Sequence, residues 1–337
     1  MANTDPSRLG QINGTGPVDD LFLKVFSGEI LTTFEEQNIM KDLHMVRTIS
    51  SGKTAQFPVT GVADAQYHTV GEDIVDGSNN YLSKIKHAER TINIDDVLIA
   101  STFIANIDEL KNHYDVRSIY AKELGKALAK RFDIATMKTL FAAAGGTSPI
   151  GGNGGTSVAG ADTLTASGLV DSLYAVARSL DEKDAPEDGR FAVLTPSQYY
   201  TLLTADNVAI NRDTGGAGNV ATGKIAQVAG INLFKSNHLD SVIGLGDASA
   251  VSTDDGASNN TVGGGSGYNS DFSGLAGADS AKGFLAGTKE AIGTVKLLDL
   301  ATESEYQIQR QGTLFVAKYA MGHGALRPEC AVKVLPA

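Results

Sequence analysis

The residues that most resemble a chemical motif are Ser51-Gly52-Lys53-Thr54, which match the end of a phosphate-binding loop. In such loops, backbone N–H groups surround the phosphates and the lysine and the hydroxyl complete the site. The motif also requires a glycine five residues before Gly52, where this sequence has Arg47. The alternating pattern that follows predicts a strand, whereas phosphate binding uses the N-terminus of a helix. We therefore interpret this segment as the start of a strand.

The remaining candidates for chemistry are weaker. Gly151–Thr156 and Gly264–Asn269 resemble single calcium-binding nonapeptide repeats, but both lack the aspartate and they are not in tandem. The six histidines show no metal-ligand spacing, and no Gly-x-Ser-x-Gly motif occurs. The only cysteine, Cys330, excludes an internal disulfide, and a packed residue in a strand is its simpler interpretation. We therefore predict a protein that is not an enzyme and that has no cofactor and no metal site.

The composition is that of a folded, acidic protein. Hydrophobic residues make up 42% of the 337 residues, and 28 Lys+Arg against 39 Asp+Glu give a net charge of −11. This length corresponds to about two domains, and the acidic balance argues against a surface that grips nucleic-acid phosphates. The N-terminal residues have no secretory signal, and no apolar stretch reaches the ~20 residues that span a bilayer. We expect a soluble protein that does not contact a membrane.

The first third of the chain predicts an arm and a ribbon. Residues 1–20 are polar and contain glycine and proline, which is typical of an extended arm, and apolar residues over Leu21–Phe34 recur at helical spacing. Over Gly52–Ile104 the period changes to two, which predicts a long two-stranded ribbon with a loose polar tip. Pro58 restricts the first strand to an edge position. Because a two-stranded ribbon is marginal alone in water, something outside it must hold it.

The remaining chain predicts a long helix followed by an α/β lobe. Two apolar stripes predict a helix over 108–144 that packs on both sides, ended by Gly145-Gly146. Residues 145–167 are rich in glycine, serine and threonine and indicate a boundary, and 244–280 indicate a long surface loop. The lobe between them is predicted to contain helices over Leu169–Leu180 and Pro196–Leu203 and strands over Arg190–Leu194 and Gly230–Lys235. Three more strands are predicted near the C-terminus, over Gly283–Ala286, Gly293–Leu297 and Thr313–Tyr319.

The charges of the ribbon are unevenly distributed. The ribbon carries acidic residues at its tip and basic residues on its returning strand, namely Asp64, Glu72, Asp73 and Asp76, then Lys84, Lys86 and Arg90. No Lys or Arg occurs between Gly61 and Asn80. One interpretation is an inter-subunit contact, in which the acidic tip lies against basic surface on a neighbour. The alternative is a solvated loop with an arbitrary charge distribution.

Together, an arm, a ribbon that is unstable alone and a two-faced helix indicate an obligate homo-oligomer. Five segments also carry a resemblance to a known family: Leu21–Leu31, His44–Val59, His113–Ser118, Ile292–Leu297 and Ala317–Glu329. In this order, they resemble the major capsid protein of short-tailed phages (podoviruses) of the T-seven group. Between about 142 and 280 the resemblance is slight.

The resemblance implies an α+β protein with the HK-97-type viral capsid fold, which has an N-terminal arm, an extended β-hairpin loop, a peripheral domain with a long spine helix, and an axial domain. The implied segments are the arm at 1–50, the hairpin loop at 51–104, the peripheral domain with the spine helix at 105–164, the axial domain at 165–280, and peripheral strands with the C-terminus at 281–337. The implied function is structural, in the icosahedral shell of a virion.

The resemblance also implies the partners. They are other copies of the chain in hexamers and pentamers, a scaffolding protein, a portal protein, and double-stranded DNA packaged without sequence-specific binding. Assembly is expected in the host cytoplasm. The alternatives are an encapsulin-like compartment of the same fold, which encloses a cargo enzyme, and a small hydrolase, for which no catalytic constellation is found.

Overall fold

The computed structural model describes most of the chain between Asn38 and Pro336. The described residues are 30, 38–61, 63–75, 81–82, 85–94, 97–105, 116–151, 154–160, 165–204, 218–219, 224–225, 227–239 and 283–336. Of the predicted helix over Leu21–Phe34, only Ile30 is described, and it is helical and buried. The whole of the predicted loop 244–280 and the predicted start of the long helix at 108 lie outside the described residues.

The described residues form both strands and helices, as an α+β protein requires. The strands are β1 (Met45–Thr48), β2 (Thr54–Thr60), β3 (His87–Asn93), β4 (Leu98–Ala105), β5 (Thr156–Gly160), β6 (Phe191–Leu194), β7 (Gly218–Asn219), β8 (Lys224–Ile225), β9 (Gln227–Val228), β10 (Ile231–Lys235), β11 (Phe284–Gly287), β12 (Ile292–Gln307), β13 (Gly312–Ala325) and β14 (Ala331–Pro336). The α-helices are α1 (Val116–Ala144), α2 (Ala166–Asp181) and α3 (Pro196–Thr204). Short 3₁₀ helices occupy Asn237–Leu239, Ile308–Arg310 and Pro328–Cys330.

The chain divides into two compact units. Among the described residues, unit 1 contains 30, 98–105, 116–129 and 300–319, and unit 2 contains those within 38–97, 130–299 and 320–336. In unit 1, β4 lies antiparallel to β13, with Ala105 opposite Gly312 and Leu98 opposite Tyr319.

Unit 2 is built around a six-stranded sheet in the order β5-β14-β11-β6-β10-β9. The central strands β6 and β11 are buried along their whole length, as expected of strands covered on both faces. Helix α2 packs on this core through Leu169, Leu173, Val176 and Leu180, which recur at helical spacing and are fully buried. The Thr165 hydroxyl accepts the N–H of Gly168 and caps the start of this helix.

Helix α1 confirms the long helix where it is described. From Phe132 to Ala144 nearly every side chain is buried, so this half packs on all sides, as two apolar stripes predict. The helix ends where the N–H groups of Gly145 and Gly146 bond to carbonyls three residues earlier.

The segment 145–167, interpreted from its composition as a boundary, contains a strand in its middle part. Thr156–Gly160 is strand β5, which pairs in parallel with β14. The glycine before it permits close packing: a Cβ on Gly155 would lie 2.3 Å from the carbonyl oxygen of Ala143. These glycines bring the strand against the end of α1, so their number does not indicate a linker.

Candidate assembly interface

The predicted ribbon is a two-stranded antiparallel hairpin in unit 2, but it ends at Asn93 and not at Ile104, because Leu98–Ala105 forms strand β4, which pairs with β13. Strands β2 and β3 pair from Thr54 opposite Asn93 to Thr60 opposite His87, and they form a sheet of their own. Both strands are therefore edges, which accommodates Pro58 as predicted. The Ser51–Thr54 segment leads into β2, so its resemblance to a phosphate-binding loop has no structural counterpart.

The base of the hairpin is fixed by apolar packing. Ala55, Ile92 and Ile94 are buried in a cluster with Val295, Ala320 and Leu326. Polar contacts add to this: the Arg47 guanidinium donates to the Gln56 carbonyl at 2.9 Å, and Arg90 donates to the Thr147 carbonyl at 3.0 Å. The support that a two-stranded ribbon requires is thus partly supplied by its own subunit.

Gly322 in strand β13 lies directly against the backbone of the hairpin base at Asn93 and Ile94. A Cβ at this position would lie 2.0 Å from the carbonyl oxygen of Asn93. We expect Gly322→Ala to destabilise the subunit by about 3 kcal/mol, because backbone atoms on both sides must separate. Chemical denaturation of the purified subunit measures this loss. An unchanged unfolding midpoint would contradict the close packing of the hairpin base.

The tip of the hairpin has an ordered local structure. The Tyr81 hydroxyl accepts the N–H of Thr69 at 3.0 Å and donates to the Glu72 carboxylate at 2.5 Å. His68 Nε2 donates to the carbonyl of Glu72 at 2.7 Å, and its ring lies 5.0 Å from that of Tyr81. The turn between Thr69 and Glu72 includes Gly71 at φ +90°, a conformation that glycine adopts without strain. One tyrosine therefore joins both sides of the tip.

The same tip exposes apolar side chains to solvent. Tyr67 and Val70 are fully exposed, at 102% and 98% of their reference area. The other large apolar side chains exposed here are Ile74, Val75, Leu82 and Ile85. We call Tyr67, Val70, Ile74 and Val75 the apolar tip. Grouped exposed apolar side chains are typical of surfaces that a partner covers.

The predicted inter-subunit contact residues have different locations and partners in the structure. Asp64, Glu72 and Asp73 lie in the tip, but the Glu72 carboxylate bonds to Tyr81 and that of Asp73 accepts the N–H of Val75. Lys86 and Arg90 lie on the returning side, where Arg90 is held by its bond to the Thr147 carbonyl. Asp76 and Lys84 lie outside the described residues. Sequence reasoning singled out the charges and missed the apolar tip, although the apolar residues from Tyr67 to Val75 stand in an otherwise polar stretch.

A cleft of about 400 Å³ lies at the hairpin base, between β3, the end of α1 and the end of β13. Arg90 is the ionisable residue in its lining, which otherwise consists of Thr91, Ile92, Thr139, Ala142, Ala143, Gly146, Thr147, Gly324, Ala325 and Pro328. Within the described ranges, no group of three or more His, Cys, Asp or Glu side chains is placed to hold a metal ion. In that same part of the chain, no helix is long and apolar enough to cross a membrane.

Comparisons with known proteins agree with this architecture. Residues 56–335 match the family model described as Gp10A-like: Major capsid protein. The chain is 35% identical to the major capsid protein of Enterobacteria phage T3, over 92% of this chain and 90% of that protein. Its identity to the major capsid protein of Escherichia phage T7 is 33%, over 98% of both chains. The solved capsid structure of cyanophage P-SCSP1u has 39% identity and a TM-score of 0.70, over 100% of this chain and 99% of that chain.

The fold is the HK-97-type capsid fold, and proteins of this class form the shells of phages. The chain belongs to the Gp10A-like major capsid protein family. It is a structural protein of the phage virion, and copies of it form the capsid shell. The resemblance to podovirus capsid proteins is confirmed, and an encapsulin-like compartment is not favoured.

Proposed function

We propose that copies of this chain assemble with a scaffolding protein and a portal protein into an icosahedral procapsid of hexamers and pentamers. The procapsid then receives double-stranded DNA, and the chain performs this role without catalysis and without a cofactor. The net charge of −11 supports the proposed relation to DNA. A predominantly acidic protein binds phosphates weakly, so the genome is enclosed without being held by specific contacts.

The hairpin is the proposed clamp between neighbouring subunits. The observation that carries this proposal is the apolar tip, which is exposed in the single subunit although its backbone is ordered around Tyr81. An ordered tip loses little conformational entropy on docking, and burying a valine side chain contributes about 1.5–3 kcal/mol. A neighbouring copy that covers the tip therefore gains stability from each contact.

The acidic residues have a secondary role in this proposal. Asp64 and Asp73 lie in the tip beside the apolar side chains, and they meet basic surface on the neighbour. An exposed ion pair contributes only about 0–1 kcal/mol and is weakened by salt. The charges therefore orient the contact, and the apolar side chains supply most of its free energy.

Limited proteolysis tests the clamp. Chymotrypsin is expected to cut after Tyr67 in free subunits, where the side chain is fully exposed. The same bond is expected to be protected in assembled shells, because a neighbour covers it. Mass spectrometry of the fragments from both forms measures the difference.

A matched variant controls for cleavage elsewhere. Tyr67→Ser removes this cleavage site and is expected to abolish the fragment pair from free subunits while leaving other products unchanged. Equal cleavage after Tyr67 in subunits and in intact shells would mean that the tip projects freely, and the clamp would be rejected while the family assignment remained.

The domain organisation is proposed as the sequence predicts it. An arm at 1–50, a hairpin loop at 51–104, a peripheral domain at 105–164, an axial domain at 165–280 and peripheral strands at 281–337 together form one subunit of the shell.

A further inference from the structure

A chain of hydrogen bonds passes through the apolar core of unit 2 and ends at the segment Asn38–His44. His323 Nδ1 lies 2.8 Å from the hydroxyl oxygen of Thr294, and this oxygen lies 2.7 Å from His44 Nε2. His44 Nδ1 in turn lies 2.6 Å from the carbonyl oxygen of Met40. All four residues are buried.

The three hydrogen bonds all point the same way, from His323 through Thr294 and His44 to the Met40 carbonyl. The Met40 carbonyl only accepts, so His44 Nδ1 carries the hydrogen. In a neutral imidazole Nε2 is then an acceptor, and the Thr294 hydroxyl must donate to it. Because a hydroxyl has one hydrogen, its oxygen accepts from the Nδ1–H of His323. The tautomer of each histidine is thus fixed by its neighbour in the chain.

The surroundings favour neutral imidazoles. Burial, together with repulsion from His44, lowers the pKa of His323 to about 3. Burial also lowers the pKa of His44, against the opposing effects of its bond to the Met40 carbonyl and of Asp133. The charged and titratable groups that act on His44, or on Asp133 beside it, come from several elements: Asp133 on α1, His238 in the 3₁₀ helix, Lys289 before β12, Lys296 on β12 and His323 on β13.

Asp133 holds the same segment from a second side. Its fully buried carboxylate accepts the backbone N–H groups of Ile39 and Met40, both at 3.1 Å. The Phe132 ring lies beside both imidazoles, 5.8 Å from His44 and 5.2 Å from His323. The segment Asn38–His44 is therefore held by several buried hydrogen bonds. Because all of them must be satisfied together, its backbone has few alternative conformations.

We propose that the His323–Thr294–His44 chain is a protonation-sensitive latch, which holds the segment Asn38–His44 on unit 2 and releases it in acid. A proton added to His44 occupies Nε2, where it faces the hydroxyl hydrogen of Thr294. The hydroxyl can turn around only if His323 moves its own proton from Nδ1 to Nε2. If both histidines are charged, N–H donors approach the single oxygen from both sides, the hydroxyl hydrogen loses its acceptor, and the chain breaks.

The sign of the pH dependence follows from the depressed pKa values. Release exposes His44 and returns its lowered pKa to the ordinary histidine value of about 6.5, so the released form binds more protons and is favoured as the pH falls below that value. The lowered pKa of His323 acts in the same direction: where release lets water reach this imidazole, its pKa rises from about 3 and the released form is favoured further in acid. Above pH 7 neither form takes up protons, and the latch stays closed.

Hydrogen exchange of assembled shells of the full chain, followed by mass spectrometry at pH 7.5 and pH 5, tests the latch. Labelling times are corrected for the intrinsic pH dependence of exchange. We expect the amides of Asn38–His44 to lose protection by about tenfold or more at pH 5, while those of the buried strand β6 remain protected. Thr294→Val removes the hydroxyl at nearly constant volume and is expected to lower protection of the segment already at pH 7.5.

The matched control is His87→Gln, which removes an exposed histidine of the hairpin and is expected to keep the wild-type response to acid. Unchanged protection of the segment at pH 5 would overturn the latch, and so would a parallel loss in β6, because that loss indicates global unfolding. A response abolished by His87→Gln would also overturn it. If Thr294→Val does not fold, the wild-type comparison with β6 decides alone.

Discussion

Leu124→Pro is expected to abolish shell formation. Leu124 is half-buried within α1, which runs without interruption from Val116 to Ala144. Proline removes the backbone N–H at this position and its ring clashes with the carbonyl four residues earlier, at a cost of about 3 kcal/mol or more. The kink changes the direction of the helix in every subunit. Because all subunits of a closed shell make the same contacts, the altered shape disrupts every one of these contacts. Sedimentation and electron microscopy of the purified variant measure the loss.

Leu124→Ala is the matched control for this substitution. It removes the same apolar side chain but keeps the helix, so we expect a loss of only about 1 kcal/mol and normal shells. Normal shells from Leu124→Pro would contradict a continuous helix in the assembled subunit.

The double substitution Val70→Asp and Val75→Asp is expected to prevent assembly without unfolding the subunit. Both side chains are exposed, so the free energy of unfolding should change by less than about 0.5 kcal/mol. In the proposed clamp, however, a neighbour covers both positions, and each buried carboxylate costs several kcal/mol. Thermal unfolding of the subunit and the yield of particles together measure the two effects.

The control for the tip is Val70→Ile with Val75→Ile, which keeps the apolar surface and is expected to keep assembly. Normal shells from the aspartate variant would show that the apolar tip is not covered, and the clamp would be rejected. Subunits that are already unfolded would contradict the exposure of these side chains.

Helices and strands whose sequence pattern lies within one segment were predicted correctly. The two apolar stripes of α1 and the spacing of Leu169, Leu173 and Val176 in α2 are properties of single segments, and both helices were confirmed. Strands β6 and β10 were found within one residue of their predicted bounds, because short runs of β-branched and aromatic residues mark them.

The missed elements depend on partners that are distant in the chain. Strand β5 lies in a glycine-rich segment, and its pairing with β14 joins Thr156 to Val332. All four residues of β1 are exposed, so no alternation marks a strand that pairs with β12. Strand β12 extends well beyond its predicted segment, because its polar and mostly exposed second half resembles a loop in sequence. Strand β13 continues past Tyr319 through Gly322 and Gly324, which interrupt the sequence pattern of a strand.

At the candidate assembly interface, too, local features were predicted and contacts between distant residues were not. A ribbon that cannot stand alone was predicted from its period of two, and the edge position of Pro58 follows from covalent chemistry. The bond from Tyr81 to Glu72 and the chain from His44 through Thr294 to His323 join residues whose proximity only the tertiary structure reveals. The sequence predicted a contact at the tip from its charges, whereas the exposed apolar side chains are the stronger physical reason to expect that a neighbour covers it.

Electron microscopy of the expressed full chain, with a scaffolding protein co-expressed where assembly requires it, shows whether this chain builds a shell. We expect closed icosahedral shells in which this chain is the main component. A stable species that remains exclusively monomeric under every assembly condition would contradict it.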